Sequence, residues 1–550
     1  MPSKRNAPTS PGARRALARA WPAVLLVAVL AACTSPGVPA ARPSPSLTPY
    51  TLKVLSGSNL GDMAPILREA AAATGVTVRL TQVPSLVGTQ TVLDGKADGV
   101  YDATWFASEN YLRLSSSAAA RYDGSAEIMG SPVILGLRAE AARRLGWDRT
   151  PVTWADIARA ASQGRFTFGM ADPAKTHAGL SALVAVATAV AGHGSALRRE
   201  DIPRVSAELS GLFHAQVLKA DSADWLTGAY LRQLRGGQRP VADGLITYES
   251  ELIAFNRAAP PEQLVLVYPS DGVITATYPL SLLASAPAAK DAYQRLTRYL
   301  RTPRVQDEIM RVTHRRPIIG GVALTPDLAG HRPFQLPFPA SLATVDELVG
   351  AYRGRLRRPG RTIYVLDTSG SMEGRRLAAL KRALSALTGA DDDLAARLSR
   401  FETREQVTFL PFATVPGRPV TFRIPARAAG PVLARIRRHI ADLRAGGGTA
   451  AYDAVVAAYR IIRAQHAEDP ARIESVVLLT DGRRTDGLDL AGFTRVYRRF
   501  PEGAPPLFAV VFGDSRRAEM RRLAELTGGL AFDAAPASLA EVFQRIRGYQ

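Results

Sequence analysis

V-L-D-T-S-G-S-M-E-G, Val365 to Gly374, is the point where an apolar run stops at an acid and two hydroxyls spaced D-x-S-x-S. A helical pattern resumes at once from Arg375. Arg361 to Asp367 reads as an apolar strand, so the turn lies at the carboxyl edge of a sheet and can hold a hard divalent cation. Magnesium and calcium prefer side-chain oxygen, and drawing ligands from neutral serines leaves the ion with unquenched positive charge. Outward from this turn, strands at Gln406–Ala413, Glu474–Thr480, Pro506–Phe512 and Leu530–Phe532 alternate with helical patterns at Arg375–Leu387, Pro431–Leu443, Ala450–Ala467, Ser515–Leu526 and Ser538–Gly548. The alternation predicts an α/β, doubly wound, mostly parallel sheet over 361–550. Ligands gather at the carboxyl ends of such strands where the strand order reverses. Three loops carry suitable chemistry there: Asp367, Ser369 and Ser371; the turn A-G-G-G-T ending in Thr449; and L-L-T-D-G with Asp481. D-x-S-x-S alone is a weak pattern, and Asp367 or Thr449 taken singly also suits a helix cap. The ordered set of three is far more specific.

Together these loops resemble the metal-ion-dependent adhesion site of the von Willebrand factor type A domain. The resemblance implies that Ser369, Ser371 and Thr449 supply hydroxyls to Mg2+, or to Ca2+ or Mn2+, with Asp367 and Asp481 acting through bound water or as acceptors behind them. It also implies one coordination position left for an acidic residue of a protein partner, and binding that chelation abolishes. Gly446 to Gly448 would let backbone approach the ion. Arg483 and Arg484 can steer an acidic ligand or simply be solvated, and Asp391-Asp392-Asp393 reads as a solvated turn.

The N-terminal half also alternates strand, polar turn and helix, from Thr51–Leu55 through Val76–Val83 and Gly99–Trp105. After the apolar strand Ser131–Leu137 it enters a second unit, then returns near Leu264–Ile274. The segments V-L-S-G-S-N (Val54–Asn59), D-G-V-Y-D-A-T-W-F-A-S (Asp98–Ser108), F-G-M-A-D-P-A-K-T-H-A-G (Phe168–Gly179) and D-G-L-I-T-Y-E-S-E-L (Asp243–Leu252) resemble bacterial extracytoplasmic solute-binding proteins of the type II class. That resemblance implies two lobes over 50–335 with a solute in the cleft between them. Ser56, Ser58 and Asn59 precede one helix and Thr176 another, so free N–H groups and positive dipole ends suit a small polar solute or oxyanion. Trp105, Tyr248 and Glu249 complete the candidate cleft residues; capping and core packing are the plain alternatives for the set.

At 550 residues and 47% hydrophobic content, the chain has material for two or three cores. Its formal charge of +20 comes from arginine spread along the chain, only seven of its 69 basic residues being lysine, and no arginine run is interleaved with aromatics, so nucleic acid is not an expected partner. A basic start and the apolar run Trp21–Ala32 form a signal peptide over 1–32. Leu30-Ala31-Ala32-Cys33 resembles the lipobox of bacterial lipoproteins, which implies a lipidated Cys33 anchoring the protein outside the cell membrane. A Pro/Ala/Ser-rich linker over 33–49 follows, and a second linker with exposed arginines is expected over 336–360. No phosphate loop, G-x-S-x-G elbow or H-E-x-x-H pair occurs, so no enzyme activity is expected. The expectation is a lipid-anchored extracytoplasmic binding protein; the alternative is a substrate-binding lipoprotein of an ABC transporter with an accessory C-terminal domain.

Overall fold

The computed structural model describes residues 48–235, 242–389, 400–481, 484–500, 504–511, 517–534 and 539–549. Cys33 with its leader, the linker up to residue 47, Asp391 to Asp393 and Arg483 lie outside the described residues. In β1 (Tyr50–Ser56), fully buried Leu52 and Val54 alternate with exposed Thr51 and Lys53, the period of a strand covered on one face. β2 (Val76–Gln82), β3 (Ala103–Trp105) and β4 (Tyr122–Glu127) follow, and then β5 (Met129–Arg138), buried almost throughout, carries the chain into a second lobe. That lobe adds β6 (Phe168–Ala171), β7 (Gln216–Ala220), β8 (Gly244–Tyr248) and β9 (Leu264–Val267). The chain returns through β10 (Thr275–Ala276), β11 (Pro279–Leu283) and β12 (Arg316–Pro317). The first sheet runs β2-β1-β3-β11-β4; the second runs β10-β5-β8-β6-β7, with β9 and β12 also paired to β5. The helix His177–Ala191 is buried on every face as far as Thr188. It starts hard against the turn after β6, where a Cβ on Gly179 would fall 2.2 Å from the Ala171 carbonyl oxygen.

The C-terminal half forms a third sheet from β13 (Gly360–Asp367), β14 (Gln406–Phe412), β15 (Val420–Arg423), β16 (Ile473–Thr480), β17 (Leu507–Val511) and β18 (Ala531–Asp533). Its order is β15-β14-β13-β16-β17-β18, parallel throughout except for the antiparallel edge strand β15. Every residue of β13 is buried, which is why the strand reads as one apolar run. From β13 the chain moves to β14 on one side and later to β16 on the other, so the strand order reverses at the ends of β13 and β16. The expected two-part α/β architecture is therefore present.

In the stretch 336–360 Arg355 is exposed, as expected of a linker, but the segment around it is packed against both halves of the chain. Tyr352, at the end of the helix Leu342–Ala351, is fully buried, donates to Gln216 Oε1 at 2.9 Å and meets Phe213 edge-on at 5.0 Å. Arg357 is 2% exposed and paired with Glu402 and Glu405. The same side of the second lobe is joined to the C-terminal sheet by aromatic packing, with Trp225 4.4 Å from the Tyr549 ring. Among the described residues no helix is long and apolar enough to cross a membrane.

Candidate functional site

The turn after β13 folds back on its own acid. Asp367 is fully buried; its Oδ1 accepts the Ser369 N–H at 2.8 Å and its Oδ2 accepts the Thr480 hydroxyl at 2.7 Å. Burial pushes the Asp367 carboxyl above its ordinary range, and nearby Asp481 adds to the effect, against the lowering pull of the Ser369 and Thr480 bonds. Ser369 Oγ lies 3.0 Å from Ser371 Oγ, and Ser371 donates to Asp481 Oδ1 at 2.9 Å. Backbone bonds lock the second loop to the first: Gly370 N to Gly447 O at 2.9 Å and Gly446 N to Thr368 O at 2.8 Å. Thr449 is buried, and its N–H donates to Thr485 Oγ1 at 2.8 Å and to Asp486 Oδ2 at 3.2 Å, which ties the third loop to the second. The structure thus brings Asp367, Ser369, Ser371, Thr449 and Asp481 onto three interlocked loops at one sheet edge.

Two residues at this edge carry no motif of their own. Arg376 donates to Asp481 Oδ2 at 2.6 Å and to the Ser371 carbonyl at 3.2 Å, placing a cation beside the acid. Asp486 fills the space next to Gly448, where a Cβ would sit 1.8 Å from its Oδ2; the glycine therefore serves the approach of Asp486. Arg484 is exposed and bonded to the Gly487 carbonyl at 3.2 Å. Among the described residues no group of three or more His, Cys, Asp and Glu side chains is placed to hold a metal ion; the carboxylates of this set number two, Asp367 and Asp481, and its remaining donors are hydroxyls. The donor chemistry fits a hard cation.

The cleft candidates divide into two groups. Trp105 is fully buried with its indole N–H on the Tyr278 carbonyl at 3.0 Å, and Thr176 caps its helix, accepting from Gly179 N at 3.0 Å and donating to Asp172 O at 3.0 Å. Glu249 is fully buried and held by Arg316 at 2.6 and 2.7 Å and by Tyr268 at 2.6 Å. These three are engaged within the protein. Ser56 and Tyr248 are buried, and neither Ser56 Oγ nor Tyr248 Oη has a hydrogen-bond partner among the described residues. Ser58 and Asn59 line a cavity of about 320 Å³ between the lobes; Asn59 Nδ2 donates to Tyr278 Oη at 2.9 Å, and its Oδ1 has no partner among the described residues.

The opposite wall of that cavity holds acids that sequence reasoning missed, Asp224 and Glu251, each in the first turn of a helix following a strand of the second lobe. Asp62 joins them from the first lobe and is paired with buried Arg315 at 2.7 Å. Arg315 also donates to Asn59 O at 2.7 Å and lies 4.7 Å over the Tyr278 ring. Tyr278 takes up this position with φ at +44°, a left-handed conformation uncommon for a bulky residue. The surrounding protein and then Asp224 push the Glu251 carboxyl up to about 8. The only sequence signal for these acids was their place at helix starts, which is also where ordinary dipole-pairing acids occur.

Two family profiles match the chain: bacterial extracellular solute-binding protein over residues 52–311, and von Willebrand factor type A domain over residues 363–545. Inter-alpha-trypsin inhibitor heavy chain H4 of Sus scrofa is 30% identical over 178 residues, 32% of this chain and 18% of that protein. The chain thus spans less than a fifth of that relative. The periplasmic binding protein P5PA aligns with 56% of this chain and 99% of its own at 15% identity and TM-score 0.42. A von Willebrand factor type A protein from Catenulispora acidiphila aligns with 35% of this chain and 42% of its own at 22% identity and TM-score 0.29. Both matched domain types are binding modules rather than catalysts. The chain joins a bacterial-type solute-binding domain to a C-terminal von Willebrand factor type A domain.

Proposed function

We propose that this protein is an extracytoplasmic, lipid-anchored adhesion protein that engages a protein partner through magnesium at the β13 and β16 strand ends and carries a small polar solute between its N-terminal lobes. The convergence of Asp367, Ser369, Ser371, Thr449 and Asp481 on three mutually bonded loops is the observation that carries this reading. A bound Mg2+ would supply an electrophilic position able to accept a carboxylate from outside. Ser369, Ser371 and Thr449 would present their hydroxyls to it, Asp367 would hold the Ser369 turn in place, and Asp481 would orient the Ser371 hydroxyl it already accepts. Because the three hydroxyls are neutral, the partner's acid would complete the charge balance. Cys33 would anchor the chain to the membrane by lipid, consistent with the lipobox-like Leu30-Ala31-Ala32-Cys33.

Capture of envelope proteins by the full-length chain in magnesium, in EDTA and with Asp367→Ala tests the reading. A partner retained only by the unaltered chain in magnesium is the expected result. Capture equal in all three, or no magnesium binding by calorimetry, overturns it. A second reading, receptor for a permease, is favoured by the polar cavity between the lobes; solute uptake lost on deletion of the protein, with no magnesium-dependent partner, would support it over the first.

A further inference from the structure

The two N-terminal lobes have separate sheets, and the chain crosses between them on short segments, among them 127–129 and 276–279. Lobes joined in this way can swing about the crossings. Here they are held together. The Leu86 N–H of the first lobe donates to the Lys175 carbonyl at 3.2 Å, and Thr89 Oγ1 lies 3.2 Å from His177 Nε2. Lys175 and His177 stand in the turn after β6 and at the start of the helix His177–Ala191, both in the second lobe. Leu86 lies in the first turn of the helix Ser85–Leu93, where an N–H has no acceptor within its own helix, so its bond depends on the joint between the lobes.

The helix Leu342–Ala351 spans this joint. Ahead of it the chain is fastened to the second lobe by Val273 N to Phe334 O and by Leu336 N to Val273 O, both at 2.8 Å. Behind it Tyr352 is fastened to the same lobe through Gln216 and Phe213, and Arg353 donates to Glu402 of the C-terminal domain at 2.7 Å. Between these anchors Glu347 pairs with Arg199 of the second lobe, whereas Asp346 accepts the Tyr111 hydroxyl of the first lobe at 2.8 Å. A cavity of about 200 Å³ lies beneath the helix, walled by Leu86 and Gln90 of the first lobe, Pro173 and Leu180 of the second, and Val345 and Val349 of the helix itself. Apolar contact between the helix and the first lobe is therefore incomplete, and the attachment runs through Tyr111, whose hydroxyl is bonded to a carboxylate.

We propose that the helix Leu342–Ala351 is a strap that holds the first lobe closed on the second, so that the connection to the C-terminal domain restrains opening of the interlobe cleft. Opening swings the first lobe away from one body made of the second lobe, the strap and the C-terminal domain, and it breaks the Leu86–Lys175, Thr89–His177 and Tyr111–Asp346 contacts together. Such a strap works with the cleft empty and goes beyond the reading of the cleft as a solute site.

Amide exchange of the full-length, solute-free chain in constant magnesium, resolved to single residues by mass spectrometry, tests it at the Leu86 N–H. Asp346 is exposed, so water competes for its bond. Tyr111→Phe and Asp346→Ala should each speed Leu86 exchange by about threefold to tenfold, the range for one solvent-accessible hydrogen bond to a carboxylate. Both changes together should do no more than either alone, because each removes the same bond. Amides of the β1–β2 pairing, inside the first lobe, should exchange as before. Leu86 exchange unaltered in both single variants overturns the strap. Faster exchange at Leu86 and in the β1–β2 pairing alike makes Tyr111 a support of the first lobe and overturns it too, as do additive effects of the two changes. Failure here leaves the solute reading intact, because no solute enters the measurement.

Discussion

The strand-end loops and the interlobe cavity solve the same problem, holding oxygen atoms ready for a guest, by different means. At the loops, backbone bonds set the geometry before any guest arrives: Gly370 to Gly447, Gly446 to Thr368, and Thr368 N to Phe412 O at 2.8 Å. Side chains there spend their hydrogen bonds on one another. In the cavity, the acids come from separate segments of two lobes, Asp62 from the 3-10 turn Ser58–Met63 and Asp224 and Glu251 from the first turns of two helices. The loops are therefore fixed by main chain and tolerant of little, whereas the cavity is fixed by side chains and open to tuning. Sites for small hard ions demand the first arrangement, because coordination distances vary by only tenths of an ångström.

The largest expected effect tests whether the two sites stand on one body. Glu405 is buried between Arg547, at 2.7 and 2.9 Å, and Arg357, at 3.4 Å. Glu405→Leu takes the carboxylate from buried Arg547 and leaves Arg357 with Glu402, and should cost about 3–5 kcal/mol in urea unfolding. Both binding activities should fall together at a temperature the unaltered chain survives. Gly448→Ala should separate them. Its Cβ would collide with Asp486, so magnesium affinity should drop by about tenfold or more for a stability loss of about 1–3 kcal/mol, while solute binding between the lobes stays within about twofold.

A pH series should separate them in the other direction. The groups facing Glu251 are Asp224 and Asp62, which oppose its ionisation, Arg315, which favours it, the hydroxyls of Tyr248 and Tyr278, and neutral His314. With Glu251 pushed up to about 8, its carboxyl is mostly protonated at pH 7 and the cavity gains negative charge between pH 7 and 9, so a cationic solute should bind there more tightly at the higher pH. The sign for stability is opposite. Above the unfolded carboxyl value, the native state keeps a proton that the unfolded chain has lost, so the solute-free protein loses stability as pH rises toward 8. Glu251→Gln should flatten both trends. The smallest effect belongs to Arg376→Gln. Removing a half-exposed cation from Asp481 should raise magnesium affinity by about threefold, read by calorimetry at low ionic strength.

The metal loops were legible because their chemistry is local. Asp367, Ser369 and Ser371 lie within five residues, and Thr449 and Asp481 were placed by the strand and helix patterns beside them. What sequence reasoning missed depends on pairings far apart in the chain. Glu249 resembled a ligand because nothing nearby shows that Arg316, 67 positions on, occupies it. Arg357 resembled a solvated linker residue because Glu402 and Glu405 lie 45 and 48 positions away. Asp224 and Glu251 resembled dipole-pairing acids, and only the closeness of two lobes turns them into a wall. The edge strand β15, V-T-F-R, is four residues long and too short for its alternation to stand out, and β7 was passed over in the same way.

The aromatic seam between Trp225 and the C-terminal sheet has a practical consequence. Trp225 packs on both Tyr549 and Phe508, whose rings stack at 5.0 Å, and Asp221 beside them faces Arg545 at 3.8 Å. A fragment cut near residue 360 would bare these rings to water on both halves. Recombinant pieces divided there should be sticky and prone to pair with each other, and mixing the halves should restore solubility that neither has alone.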